Sequence, residues 1–157
     1  VRMCVEAGCQ MFEFSPDAYN DSMLKLLSKN LAKADIENSL KVMTMVEGAN
    51  AGYNFFVNGP GESIFTLIQL FSFYLRAKAA LRGRLKRFYA GHLHIDPNTD
   101  LFRLAMERGM VDGNTRFLGS KATYDRMIYR NSMLVTAATK ALARVRDAFN
   151  SITARPA

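Results

Sequence analysis

Apolar residues recur at three- and four-residue intervals over most of the chain, the period of a helix that buries one face. Ser15-Pro16-Asp17 reads as a helix start: a hydroxyl cap, a proline at the first helical position, then an acid against the positive end of the dipole. Tyr19, Met23, Leu26, Leu27 and Leu31 follow at helical spacing. A second helix is expected from Ala34-Asp35, with Ile36, Leu40, Met43 and Val46 on one stripe. Residues 64–75 are apolar nearly all round, which predicts a central helix with Ile68, Phe71 and Leu75 buried. The spacing continues past Gly83 to Tyr89, with Ala77, Leu81, Leu85 and Phe88 on one stripe. Asp96-Pro97 reads as another cap and start. Ser120 opens a last helix whose stripe runs from Tyr124 through Leu134, Val135, Ala138 and Leu142 to Phe149 and Ile152. At 1.5 Å per residue that helix would be roughly 45 Å long.

Period-two patterning is sparse. Met3, Val5, Ala7 and Cys9 alternate like a strand. Tyr53–Val57 is aromatic and β-branched, a short extended piece closed by the turn Asn58-Gly59-Pro60-Gly61. These patterns predict an all-α fold: one domain over residues 1–157, an irregular bundle of about five helices with a long C-terminal one and a short extended segment near the N-terminus.

Composition narrows the class. A chain of 157 residues with 49% hydrophobic and 22% charged residues can bury a core and is not disordered. Cys4 and Cys9 form neither a disulfide framework nor the usual zinc spacing. The longest apolar stretch, Ile64–Leu75, is about a dozen residues against the roughly 20 a bilayer requires. No secretory leader pattern opens the chain, which begins Val1-Arg2-Met3, and an intracellular setting is expected.

Charge changes the picture most. The net charge is +7, and it is divided unevenly. Residues 1–62 carry five basic and eight acidic side chains; residues 63–157 carry sixteen basic and six acidic ones. Arg76, Lys78, Arg82, Arg84, Lys86 and Arg87 crowd into twelve positions, with no acid between Ser63 and Ile95. On one helix they would fill most of its exposed circumference, and like charges so close repel unless an anion joins them. Phosphate is the natural partner. Pairing with acids from the N-terminal third would relieve the same repulsion. A second basic set holds Arg116, Lys121, Arg126 and Arg130, with Lys140, Arg144 and Arg146 on the distal, outer face. Tyr89, Tyr124 and Tyr129 lie among these charges and could stack on bases.

Catalytic patterns are missing. There is no nucleophile elbow, no H-E-x-x-H and no evident carboxylate pair. Asn58-Gly59-Pro60-Gly61-Glu62 lacks the Gly-Lys-Ser/Thr ending of a phosphate loop, and Glu62 brings negative charge where a phosphate would sit. His92, His94 and Asp96 would face one way in an extended segment, a fragment of a metal site, but the plainer reading is a connector. The expectation is a non-enzymatic structural subunit without metal or cofactor. It would assemble with copies or partners and use its basic face on nucleic acid, RNA rather than DNA. Its layout is similar to helical coat or nucleocapsid subunits at the level of fold alone. The alternative is a protein-interaction module or accessory subunit whose basic face meets an acidic protein or lipid surface.

Overall fold

The structure, a computed structural model, describes residues 1–117 and 119–153, with the side chains at 149 and 151–153 outside the description. A parallel sheet organises it: β1 (Met11–Asp17), β2 (Asn50–Val57) and β3 (Leu85–His92), in the order β1-β2-β3. Among the described residues the helices are α1 (Arg2–Glu6), α2 (Asp21–Leu26), α3 (Lys33–Thr44), α4 (Ile64–Leu81), α5 (Asp100–Glu107), α6 (Lys121–Arg126) and α7 (Met133–Thr153). The expected all-α bundle is therefore overturned: this is an α/β protein. Parallel partners are joined by crossovers of dozens of residues, so no local turn signal announces them.

β2 shows why the strands form. Ala51, Tyr53, Phe55 and Val57 alternate onto one face and are buried, while Asn54 and Phe56 face the other way and stay half-exposed. Ser15-Pro16 does not start a helix. Both residues belong to β1, an edge strand, where the missing proline N–H is tolerated. The register shifts between Phe14 and Asp17, and Asp17 takes φ +69°. The cap moves to Asn20, whose Oδ1 accepts the Met23 N–H at 2.8 Å and opens α2. The strand-like alternation of Met3, Val5, Ala7 and Cys9 does not make a strand: residues 2–6 coil into α1, and among the described residues no strand pairs with them.

The basic helix expected through Tyr89 is the second correction. α4 stops at Leu81, Arg82 turns to φ +51°, and a 3-10 turn spans Arg82–Arg84. The chain then pairs with β2 as β3, from Leu85 to His92. Leu85 and Phe88 thus lie on a strand, not on the helix stripe of Ala77 and Leu81. α4 itself faces the sheet with Leu67, Leu70, Phe73, Tyr74, Ala77 and Leu81. That arc lies about 120° around the helix from the expected one. Ile68 is 54% and Leu75 38% exposed, and Phe71 is half-buried. A helix apolar on all sides does not reveal which side a sheet will take.

The expected C-terminal helix is broken in two. Residues 127–129 straighten to meet residues 93–95: Ile95 N–H donates to the Met127 carbonyl at 2.7 Å and Tyr129 N–H to the Leu93 carbonyl at 2.9 Å. α7 keeps 21 residues, about 32 Å. It buries Val135 and packs on α4, while Tyr124, Leu134 and Val145 of the expected stripe are exposed and Phe149 and Ile152 lie outside the described side chains. The start expected at Asp96-Pro97 shifts to Thr99, whose Oγ1 accepts the Phe102 N–H at 3.1 Å. Among the described helices, α4 with its continuation to Arg84 alone is long and apolar enough to cross a membrane. Six of its side chains are buried against the sheet and the neighbouring helices.

The core is aromatic. Phe73 is fully buried, with ring centroids 4.9 Å from Tyr19, 5.2 Å from Tyr53, 5.9 Å from Phe55 and 6.2 Å from Phe88. Phe73→Ala is expected to cost on the order of 3–5 kcal/mol in equilibrium denaturation. Ile68→Ala, on the open side of the same helix, should cost less than about 1 kcal/mol. Equal losses at the two positions would contradict this orientation of α4.

Candidate nucleic-acid interface

Ligands of parallel sheets usually bind beyond the carboxyl ends of the strands, where strand order reverses. Here the order never reverses, and the end of β2 is filled by the chain itself. The carboxylate of Glu62 folds back to accept the backbone N–H groups of Asn58 and Gly59. Asn58 Oδ1 accepts the Asn131 N–H at 3.3 Å and the Thr136 hydroxyl at 3.1 Å. The Asn131 amide donates to the carbonyls of Gly59 and Glu62 at 2.7 and 3.0 Å. Burial pushes the Glu62 carboxyl up to about 7, against the two backbone hydrogen bonds that lower it. This turn locks β2, α4 and the start of α7 together and leaves no seat for a phosphate.

The open side of the sheet is different. α3 and α4 both pack on the face that carries Tyr53 and Phe55: Ser39 of α3 reaches the Tyr53 hydroxyl at 3.1 Å, and Phe73 of α4 meets both rings. The opposite face presents Glu13 and Ser15 of β1, Asn54 and Phe56 of β2, and Arg87 and Tyr89 of β3. Register sets Glu13 beside Gly52 and Gly52 beside Arg87. A side chain at Gly52 would collide with the Glu13 carboxylate, so the glycine lets Glu13 lie across β2 towards Arg87 Nη1, 3.6 Å away. Asn54 Nδ2 donates to Glu13 Oε2 and to Ser15 Oγ, both at 3.2 Å. Asn54 also sits beside Tyr89, whose ring lies over Gly91 and is 56% exposed. A concavity of about 400 Å³ is bounded by Ser15, Asp17, Asn54, Phe56, Arg87 and Tyr89.

The ten candidate cations separate. Arg76 is held by Glu37 through two hydrogen bonds of 2.8 and 2.6 Å, and by the Tyr19 hydroxyl at 3.0 Å. Tyr19 in turn donates to Glu37. The Arg76 contact holds the Glu37 carboxyl below its usual range, and burial pushes the Tyr19 phenol up. Arg84 closes the C-terminal end of α3, donating from Nη1 to the carbonyls of Met43, Val46 and Ala49 at 3.0, 2.7 and 3.1 Å. Lys78 donates to Asn150 Oδ1 at 2.8 Å. Register places Arg87 on the open face, while Arg82 in the turn and Lys86 at the irregular start of β3 are exposed where the chain enters that strand. Arg82 and Lys86 make no ion pair among the described residues. In the second set, Arg116 and Arg126 line one concavity with Asn114, Thr115 and Thr123. Lys121 is exposed, and Arg130 Nη2 donates to the Asp125 carbonyl at 3.5 Å.

Of the three tyrosines, Tyr129 is fully buried with its hydroxyl against Arg108, and Tyr124 stacks on His94 at 4.5 Å. Only Tyr89 offers its ring on the sheet. His94 Nδ1 lies 3.1 Å from Asp96 Oδ1, and its Nε2 is buried without a partner. No group of three His, Cys, Asp or Glu side chains able to hold a metal occurs among the described residues. Helical reading overlooked Glu13, Gly52 and Asn54. The signal for them is the alternation Phe12-Glu13-Phe14-Ser15 and Ala51-Gly52-Tyr53-Asn54-Phe55, polar or small between apolar. Comparison with known protein families and with characterised proteins returns no match.

Two outcomes test this division between structural and open groups. Arg84→Ala should destabilise the fold by roughly 1.5–3 kcal/mol, the range for hydrogen bonds to a charged group, in a urea titration. Glu62 binds its proton more tightly in the folded state than in the unfolded chain. Its stabilisation is therefore complete below about pH 4.5 and is lost as pH rises through about 7. The loss amounts to roughly 3 kcal/mol, and Glu62→Gln should remove that slope. A variant whose stability still tracked the parent's across this window would place Glu62 in contact with water.

Proposed function

We propose that this chain is a non-enzymatic subunit that binds single-stranded nucleic acid, RNA in the first place, on the open face of its sheet. The observation that carries the reading is Tyr89, an exposed aromatic ring on the open sheet face, on the same side as Arg87, with Arg82 and Lys86 exposed where the chain enters β3. Stacking on an aromatic ring tolerates any base, and cations at one end of the platform follow the phosphates. Asn54, next to Tyr89, brings an amide that can meet a base edge. Glu13 tempers the site, because its carboxylate competes with phosphate for Arg87.

A second observation favours assembly with copies or partners. α4 turns Ile64, Phe65, Ile68 and Leu75 outward, and the start of α7 exposes Met133 and Leu134. Such concentrated apolar exposure is the mark of an interaction surface. In this reading the α4 surface joins subunits while the sheet face holds nucleic acid. Ile68→Glu should then lower the mass measured by sedimentation without altering nucleic-acid affinity per subunit.

Binding of a fluorescent oligo(U) followed by anisotropy tests the main proposal. Tyr89→Ala should weaken binding by the roughly 1–3 kcal/mol that stacking on one ring supplies. Lys86→Ala and Arg87→Ala should each flatten the log–log salt dependence by about 0.7. Glu13→Gln should tighten binding, since it frees Arg87. Unchanged affinity in Tyr89→Ala and in the Lys86, Arg87 double variant at every salt concentration would overturn the proposal.

A further inference from the structure

β3 is a strand with two sides, and the side turned from Arg87 and Tyr89 borders a separate cavity. Its apolar wall is made by Leu70, Phe71 and Tyr74 of α4, Phe88 and Ala90 of β3 and Leu142 of α7. Small residues create the space: Ala90 on the strand, with Thr139 and Ala143 on the facing side of α7. The Thr139 hydroxyl is already spent on the Val135 carbonyl, at 2.8 Å, and offers the cavity no free donor. The cavity holds about 140 Å³. Well-packed interiors leave few voids larger than a water molecule, and an apolar void near 150 Å³ accepts a six-carbon guest such as benzene.

Apart from the hydroxyls of Tyr74 and Thr139, the polar groups on this cavity are basic. His92, Lys140 and Arg146 line it, and no carboxylate does. Asp147 faces this set: its Oδ1 accepts from Arg146 Nε and Nη2 at 3.0 and 2.8 Å. That pairing leaves Lys140 with no ion pair among the described residues. At the α4 side, the Tyr74 hydroxyl and Lys78 both donate to Asn150, at 2.5 and 2.8 Å, so that side's polar groups are satisfied within the chain. An apolar chamber with cationic groups in its wall fits one class of guest: a tail of about six carbons ending in an anion.

We propose that the cavity between α4, α7 and β3 binds a small monocarboxylate with a short apolar tail. The tail lies against Leu70, Phe71 and Phe88, and the carboxylate meets Lys140, with Arg146 and His92 as further donors. Alternate residues of β3 thus serve different ligands on opposite sides of the sheet, so the inference stands apart from the nucleic-acid proposal.

The test titrates the full chain, without nucleic acid, with hexanoate, hexan-1-ol and hexylammonium by calorimetry. Hexanoate is expected to bind at least about tenfold more tightly than the alcohol, because it adds charge-assisted contacts. Hexylammonium, repelled by the same cations, should give no binding heat. Lys140→Ala should bring hexanoate close to the alcohol's affinity. Ala143→Leu fills the chamber and should abolish binding of both, with a melting temperature equal to or above the parent's, so that loss of binding is not loss of fold. Absence of hexanoate binding at millimolar concentration would overturn the proposal. So would equal binding of the carboxylate and the ammonium, or undiminished binding in a folded Ala143→Leu variant.

Discussion

Phe73 is the point at which the helical layer and the sheet are fastened together. Its ring touches Tyr19 from the segment after β1, Tyr53 and Phe55 of β2 and Phe88 of β3, so one side chain meets the connection from the first strand and both remaining strands. Tyr19 extends the same contact outward, through its hydroxyl, to the Glu37–Arg76 pair that ties α3 to α4. The fold therefore depends on α4 presenting Phe73 inward. With that orientation fixed, Ile68 and Leu75 must face away, and the apolar surface on the outside of α4 follows.

The second constraint is that α3, α4 and α7 lie on one side of the sheet. Parallel sheets are usually covered on both faces. Here α3 and α4 share a face, and the other carries Glu13, Asn54, Arg87 and Tyr89. The sheet solves the exposure locally, by making that face polar and by placing Gly52 where Glu13 can cross to Arg87. A largely polar, partly self-neutralised surface with the exposed ring of Tyr89 and the half-exposed ring of Phe56 is a surface suited to a charged, stacking partner. The same alternation along β3 sends Phe88 and Ala90 into the space under α7, so both proposed sites are set by one strand's pleat.

The charge asymmetry has a structural half and an open half. Acids of the N-terminal third take up Arg76 and, more loosely, Arg87, while carbonyls at the end of α3 take up Arg84. What remains is the exposed pair Arg82 and Lys86 at the entry to β3, with Arg87 only loosely held on the open face. Twelve crowded positions thus divide among a helix, a turn and a strand, and the repulsion expected of one cationic helix does not arise.

Local chemistry determined a good deal by itself. The stripe of Ile36, Leu40 and Met43 marks α3, the apolar run from Ile64 marks α4, and Asn58-Gly59-Pro60-Gly61 marks the turn, because periodicity and turn residues act over a few positions. The uneven charge was also legible. The sheet was not, because parallel strands find partners more than 30 residues away, and β3 looks helical until β2 is beside it. The buried arc of α4 was not legible either, since an all-round apolar helix carries no mark of its inner side. Nor was the break at residues 127–132, which exists only because residues 93–95 claim that backbone. Spacing along the chain proposes elements; which faces meet, and hence which cations are consumed and which stay open, is decided by pairing and packing over distances that no local pattern records.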